Sequence, residues 1–136
     1  TRHYANYYGL ISFRMLKKME EALGEAGVTL AEQLLTEAGH ICAFNTFGGI
    51  MSSAEWEGMI KPMLQSRKDW VHGIVAVVNA FGWGLWEVDS LEEGRLLRIK
   101  ITSGYEANCY LKKFGKSNHP VSYLARGGTA GIMNLL

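Results

Sequence analysis

Tyr105 and Glu106 stand side by side, and a phenol next to a carboxylate is a pairing from which acid–base chemistry can be built. That chemistry also needs a second carboxylate, a nucleophile or an orienting group at a supporting spacing, and the sequence supplies none. Glu106 therefore reads as a structural hydrogen-bond acceptor. His72, two residues after Trp70, is a candidate for holding a ligand hydroxyl, weighed against the ordinary role of a partly exposed histidine. Cys42 and Cys109 lack Cys-x-x-Cys or His/Cys ligand spacing, so neither a disulfide framework nor a zinc site is indicated. The glycines of Gly82-Trp83-Gly84 do not form a phosphate loop, because no Gly-x-Gly-x-x-Gly or Lys-Ser/Thr ending accompanies them. No catalytic residue, metal ligand or cofactor is assigned.

The residue types point instead to binding. Trp70, Trp83 and Trp86 offer broad apolar surfaces with one N–H donor each, suited either to a core or to the wall of a ligand site. His72, Tyr105 and Tyr123 are the candidate polar anchors. The six methionines fill irregular cores as readily as they adapt a pocket and decide nothing.

At 136 residues the chain suits one domain with one core, and 48% apolar against 20% charged residues excludes disorder. A net charge of +1, with basic residues clustered only around Lys112, Lys113 and Lys116, leaves no electrostatic footprint for nucleic acid. No apolar run reaches the ~18 residues of a membrane span, and no secretory leader pattern is present. Two cysteines fit a reducing cytoplasm. The start on Thr1 and the apolar ending Gly131 to Leu136 lead to the expectation that the sequence is a piece of a longer protein.

The elements that must position these residues follow from periodicity. Ile11, Met15, Met19, Ala22 and Leu23 recur at helical spacing, which predicts a helix from Leu10 to about Gly27. Thr29-Leu30-Ala31-Glu32 has the form of a capping box that opens a second helix through Leu34, Leu35, Ala38 and Cys42, ended or bent at Gly48-Gly49. Ser52 to Glu55 forms another box, before a short helix interrupted near Pro62. Ser66 to Asp69 starts a further helix with Trp70, Ile74, Val77, Val78 and Phe81 on its apolar side. The period then changes to two, predicting a hairpin over 83–102 turned by Asp89 to Gly94, with Trp86, Val88, Leu97, Ile99 and Ile101 inward. A last helix follows Pro120 through Val121, Leu124, Gly128 and Ile132, and its small residues Gly127, Gly128, Ala130 and Gly131 favour close helix packing. The fold class is α+β, an antiparallel sheet packed with several helices.

Ser103-Gly104-Tyr105-Glu106-Ala107, Phe114-Gly115-Lys116-Ser117, Pro120-Val121-Ser122 and Gly127-Gly128-Thr129-Ala130-Gly131 form an ordered series. In order and spacing it resembles the 4-vinyl-reductase (hydrocarbon-binding) domain superfamily, over about residues 65–136. The helices of residues 1–64 match only in outline. That superfamily is named after a bacteriochlorophyll-pathway protein and includes the sensor domains of phenol- and xylene-responsive transcription activators. The resemblance implies helices on an antiparallel sheet, an enclosed apolar pocket and a dimer. Ile99 and Ile101 fall where the sensors often carry large aromatics. The family's zinc-binding cysteine of Pro-Val-Cys is here Ser122, whose hydroxyl is a poor zinc ligand, so no metal is expected.

The resulting expectation is a cytoplasmic regulatory domain that encloses a small hydrophobic or aromatic molecule between the Trp86 to Ile101 hairpin and the last helix, with Trp86, Val88, Leu97, Ile99, Ile101, Tyr105, His72 and Tyr123 as ligand-binding residues. It implies a homodimer and an effector or DNA-binding domain attached outside this chain, with no direct nucleic-acid contact. Two alternatives stand beside it: an enzyme or accessory protein acting on a tetrapyrrole-like substrate, and a dimeric interaction module related to vesicle-tethering subunits.

Overall fold

The computed structural model describes residues 2–136, with side chains from Tyr7 onward. Its elements are α1 (Arg2–Leu23), α2 (Glu25–Met51), a π-helical turn (Trp56–Ile60) running into a 3-10 turn (Lys61–Met63), α3 (Arg67–Ala80), β1 (Leu85–Glu92), β2 (Leu96–Thr102), α4 (Tyr105–Phe114) and α5 (Tyr123–Met133). The class is α+β. Among the described residues the sheet consists of the β1–β2 hairpin alone.

The α1–α2 break falls earlier than periodicity predicts. Gly24 takes φ 62°, a left-handed conformation that ends α1 at Leu23 without a Cβ penalty, and α2 starts at once on Glu25. Thr29 is thus inside a helix, its hydroxyl donating to the Glu25 carbonyl at 3.2 Å, and the predicted capping box there does not form. The buried face of α1 is also rotated from the expected stripe: Ser12, Phe13 and Leu16 are buried, whereas Ile11 and Leu23 are exposed.

Helix α2 organises the molecule. Its buried residues are Gly27, Ala31, Leu35, Gly39, Ala43 and Phe47, every fourth position. Four residues overshoot a 3.6-residue turn by about 40°, so this stripe winds roughly 200° around α2 between its ends. The N-terminal part of the stripe joins Phe13, Leu16, Cys109 and Tyr123 in one cluster. The C-terminal part joins Trp56, Val71, Ile74, Val78, Trp86 and Ile132 in another. One helix thereby serves two cores, and α5 packs along it more extensively than any other element pair.

The Ser66 box forms as predicted: Asp69 N–H donates to the Ser66 hydroxyl at 3.3 Å, and Ser66 N–H to the Asp69 carboxylate at 2.8 Å. The Ser52 to Glu55 box does not form: the Ser52 hydroxyl donates to the Gly48 carbonyl at 2.9 Å, and Ser53 alone accepts from the Trp56 amide at 3.2 Å. On α3 the inward residues are Val71, Ile74, Val75 and Val78, while Phe81 is exposed.

The hairpin pairs Trp86 with Ile101 and Val88 with Ile99, so the predicted inner face is correct. Its turn is tighter than predicted, at Glu93-Gly94, because a bulge between Val88 and Ser90 keeps Asp89 and Ser90 within the strand. The extra residue shifts the alternation and brings Leu91 onto the inner face opposite Leu97. Asn79 of α3 fixes the hairpin to the helix: its amide accepts from the Trp86 N–H at 2.7 Å and donates to the Trp86 carbonyl at 3.0 Å. Asn79→Ala leaves both part-buried backbone groups unpaired and is expected to cost about 2 kcal/mol in a denaturant titration. A loss under ~0.5 kcal/mol would show that the clamp is dispensable.

Candidate binding groove

Between β2 and α5 lies an open groove of about 580 Å³, within the ~300–1,000 Å³ usual for small-molecule sites. Leu97, Ile99 and Ile101 form its strand wall, and Ala125, Thr129, Ala130 and Met133 its helical wall. The strand residues come from one face by the period of two, and the helical ones from one side by spacings of three and four. The apolar inner face of the hairpin is only half covered, because α5 crosses near β2 without closing on it.

Helix α5 is held in place by α4. Glu106, 2% exposed, accepts from the amides of Leu124 and Ala125, both at 3.0 Å. Ser122, the residue before the helix, makes no side-chain cap, so a glutamate from another helix satisfies the free N–H groups of α5. Burial raises the Glu106 pKa, and the amides offset that rise only in part. With both oxygens engaged, Glu106 is the structural acceptor that its isolation in sequence indicates. Tyr123 is buried, donates its hydroxyl to Glu32 of α2 at 2.8 Å, and has its pKa raised by burial and by that bond.

A second, smaller cavity of about 50 Å³ lies behind Ile101, lined by Trp83, Trp86, Gly104, Tyr105 and Glu106. Ile101, Ser122 and Ala125 line both spaces, so the small one adjoins the groove. Burial raises the Tyr105 pKa, so its phenol stays protonated. The Trp86 indole N–H is buried without a hydrogen-bond partner among the described residues. Tyr105 and Glu106 thus do not form an acid–base pair, since the Glu106 oxygens take the α5 amides.

Of the candidate residues, Leu97, Ile99, Ile101 and Tyr123 line the groove, and Trp86, Tyr105 and again Ile101 line the small cavity beside it. Val88 packs against the core on the same face of the hairpin but lines neither space. His72 lies elsewhere: it is exposed on α3, outside both spaces, because the buried face of that helix runs through Val71 and Val75 instead. The pocket is an open groove rather than an enclosed cavity. Sequence reasoning placed the site against the last helix but missed Arg126. The signal was available, since Arg126 is the one charged residue in Tyr123–Met133 and lies three residues from Tyr123.

Among the described residues no three His, Cys, Asp or Glu side chains converge as a metal site, and no helix is long and apolar enough to cross a membrane. No family model, curated protein or solved structure matches this chain.

Proposed function

We propose that this domain binds a small apolar molecule in the groove between β2 and α5 and acts as a ligand-responsive regulatory module. The observation that carries this reading is the half-covered apolar face of Leu97, Ile99 and Ile101 opposite Ala125, Ala130 and Met133. Burying ~200 Å² of ligand surface there contributes about 5 kcal/mol before association costs. A ligand would bridge strand and helix, so occupancy would stiffen the approach of α5 to the hairpin and alter the surface that an attached domain or partner meets.

The test is direct. Nile red, a neutral apolar dye, is titrated into the native protein and into Ile99→Trp, whose indole fills the centre of the strand wall. Displacing a third of the contact lowers affinity about tenfold. Equal binding by two equally folded proteins would remove the groove from consideration.

A separate observation favours a second reading, a dimeric interaction module. Leu30, Leu34, Ile41 and Phe44 are exposed along α2 at spacings of three, four and seven, a seam suited to another helix. Sedimentation equilibrium decides it: a monomer at every concentration up to ~100 μM, where even a weak dimer would form, rejects the seam as a self-association surface.

A further inference from the structure

The polar groups around the groove are unevenly charged. Its lining includes Arg95, Arg98 and Arg126 but no aspartate or glutamate. Arg95 and Arg98, on the hairpin side, are exposed and already paired, with Glu92 at 2.8 Å and Asp89 at 3.6 Å. Arg126, on the α5 side, makes no carboxylate pair among the described residues.

Two neutral contacts hold it instead. Its Nη2 donates to the Thr36 hydroxyl at 2.8 Å, and its guanidinium lies 5.7 Å from the centre of the Tyr123 ring. Thr36 can accept in this way because its own proton goes to the Glu32 carbonyl at 2.8 Å. The nearby carboxylates are otherwise engaged: Glu32 takes the Tyr123 phenol, and Glu106 takes the α5 amides. Arg126 is therefore oriented without a direct carboxylate partner among the described residues, and most of its five N–H donors remain free. A guanidinium held this way beside an apolar groove is matched to a planar, two-oxygen anion.

We propose that the groove selects an amphiphilic carboxylate, a molecule with an alkyl or aryl body lying along Ile99 and Ile101 and a carboxylate head on Arg126. The inference rests on the apolar-binding reading above and adds the polar end of the ligand. Arg126 makes the defining contact, since Arg95 and Arg98 at the rim are spent on Glu92 and Asp89.

Matched competitors test it. Decanoate and decan-1-ol, which share a chain and differ in the head, are used to displace Nile red from native protein, Arg126→Gln and Arg98→Gln, below the concentration at which decanoate forms micelles. For the native protein decanoate is expected to compete about tenfold better than the alcohol, the discrimination typical of one charge-assisted contact. Arg126→Gln abolishes that preference and leaves the alcohol unchanged. Arg98→Gln, which disturbs only an exposed pair, retains most of it. The native preference also shrinks as salt rises from 20 to ~500 mM, as the charge is screened. Equal competition by the two compounds, or an undiminished carboxylate preference in folded Arg126→Gln, overturns the assignment while leaving apolar binding standing. Failure of Nile red and both competitors to bind the native protein overturns the apolar reading itself, and the carboxylate proposal with it. Should Arg126→Gln lose its near-ultraviolet circular dichroism, Arg126→Lys substitutes for it: the charge stays, the fork is lost, and the preference must fall at least threefold for the proposal to survive.

Discussion

Glu106→Ala is expected to destabilise the protein by about 3 kcal/mol or more, through the buried amides that it leaves unpaired and the space that it opens. Glu106 is 2% exposed, and its two oxygens each receive an α5 amide at 3.0 Å. Among the described residues no other side chain caps α5. The loss is measured as a shift in the urea midpoint. If the midpoint moves by less than the equivalent of ~1 kcal/mol, water must satisfy those amides and α5 does not depend on α4. Glu106→Gln keeps the shape but turns a donor toward one amide, so it falls between the two. The glutamine variant also isolates the pH dependence. Burial raises the folded pKa of Glu106 above its ordinary value of 4.5, so the native state binds the proton more tightly than the unfolded chain. The favourable contribution of this group is therefore complete below pH 4.5 and is lost as pH climbs through the raised pKa. Asp69, whose pKa is lowered by its capping bonds, gives the opposite slope, but it is present in both proteins and cancels. The stability advantage of native protein over Glu106→Gln should narrow as pH rises from 4.5 toward neutrality. An advantage that widened would reverse the sign assigned to burial.

The inner face of the hairpin was legible because strand periodicity is strict: Trp86, Val88, Leu97, Ile99 and Ile101 lie on one side as alternation requires. The Asp89 bulge was not, since polar residues near a glycine carry the same signal whether they turn the chain or bulge within it. The Ser66 box was readable because both halves of its reciprocal hydrogen bonding are encoded within four residues. Thr29-Leu30-Ala31-Glu32 has the same form and fails, because Gly24 frees the chain to start a helix earlier and one continuous α2 then absorbs Thr29. Helix α4 went unread as a helix although Glu106 in its first turn, Lys112 and Lys113 in its last and Gly115 beyond them are ordinary end signals. At the site, the groove's position between hairpin and last helix follows from sequence. Its openness, and the freedom of Arg126, depend on how closely α5 approaches α2 and on where Glu32 is spent. Both are long-range facts that no local pattern carries.

That approach is set by glycine, and Gly127→Ala is the substitution expected to disrupt it most. In isolation the change favours a helix by about 1 kcal/mol. Here a Cβ on Gly127 would overlap the Thr36 carbonyl oxygen and lie 2.8 Å from the His40 nitrogen. Gly39, opposite, would likewise drive a Cβ into the Leu124 carbonyl, and Gly131 into that of His40 at 2.5 Å. The obstacles are backbone atoms, which have no alternative rotamer, so α2 and α5 must separate along their length. The cost is expected at the upper end of overpacking, about 3 kcal/mol net. Gly49→Ala is the control: it lies in α2, the helix that α5 packs against, with nothing within 4 Å of the added carbon, and should be neutral or stabilising by up to ~1 kcal/mol. Because α5 is also one wall of the groove, its displacement carries a functional readout. Gly127→Ala should weaken Nile red binding even at temperatures where it remains fully folded, while Gly49→Ala binds as the native protein does. Equal stability of the two variants would mean that the helices slide apart at no cost. The groove would then be a variable gap rather than a site with a shape, and selection of a ligand by that shape would have no structural basis.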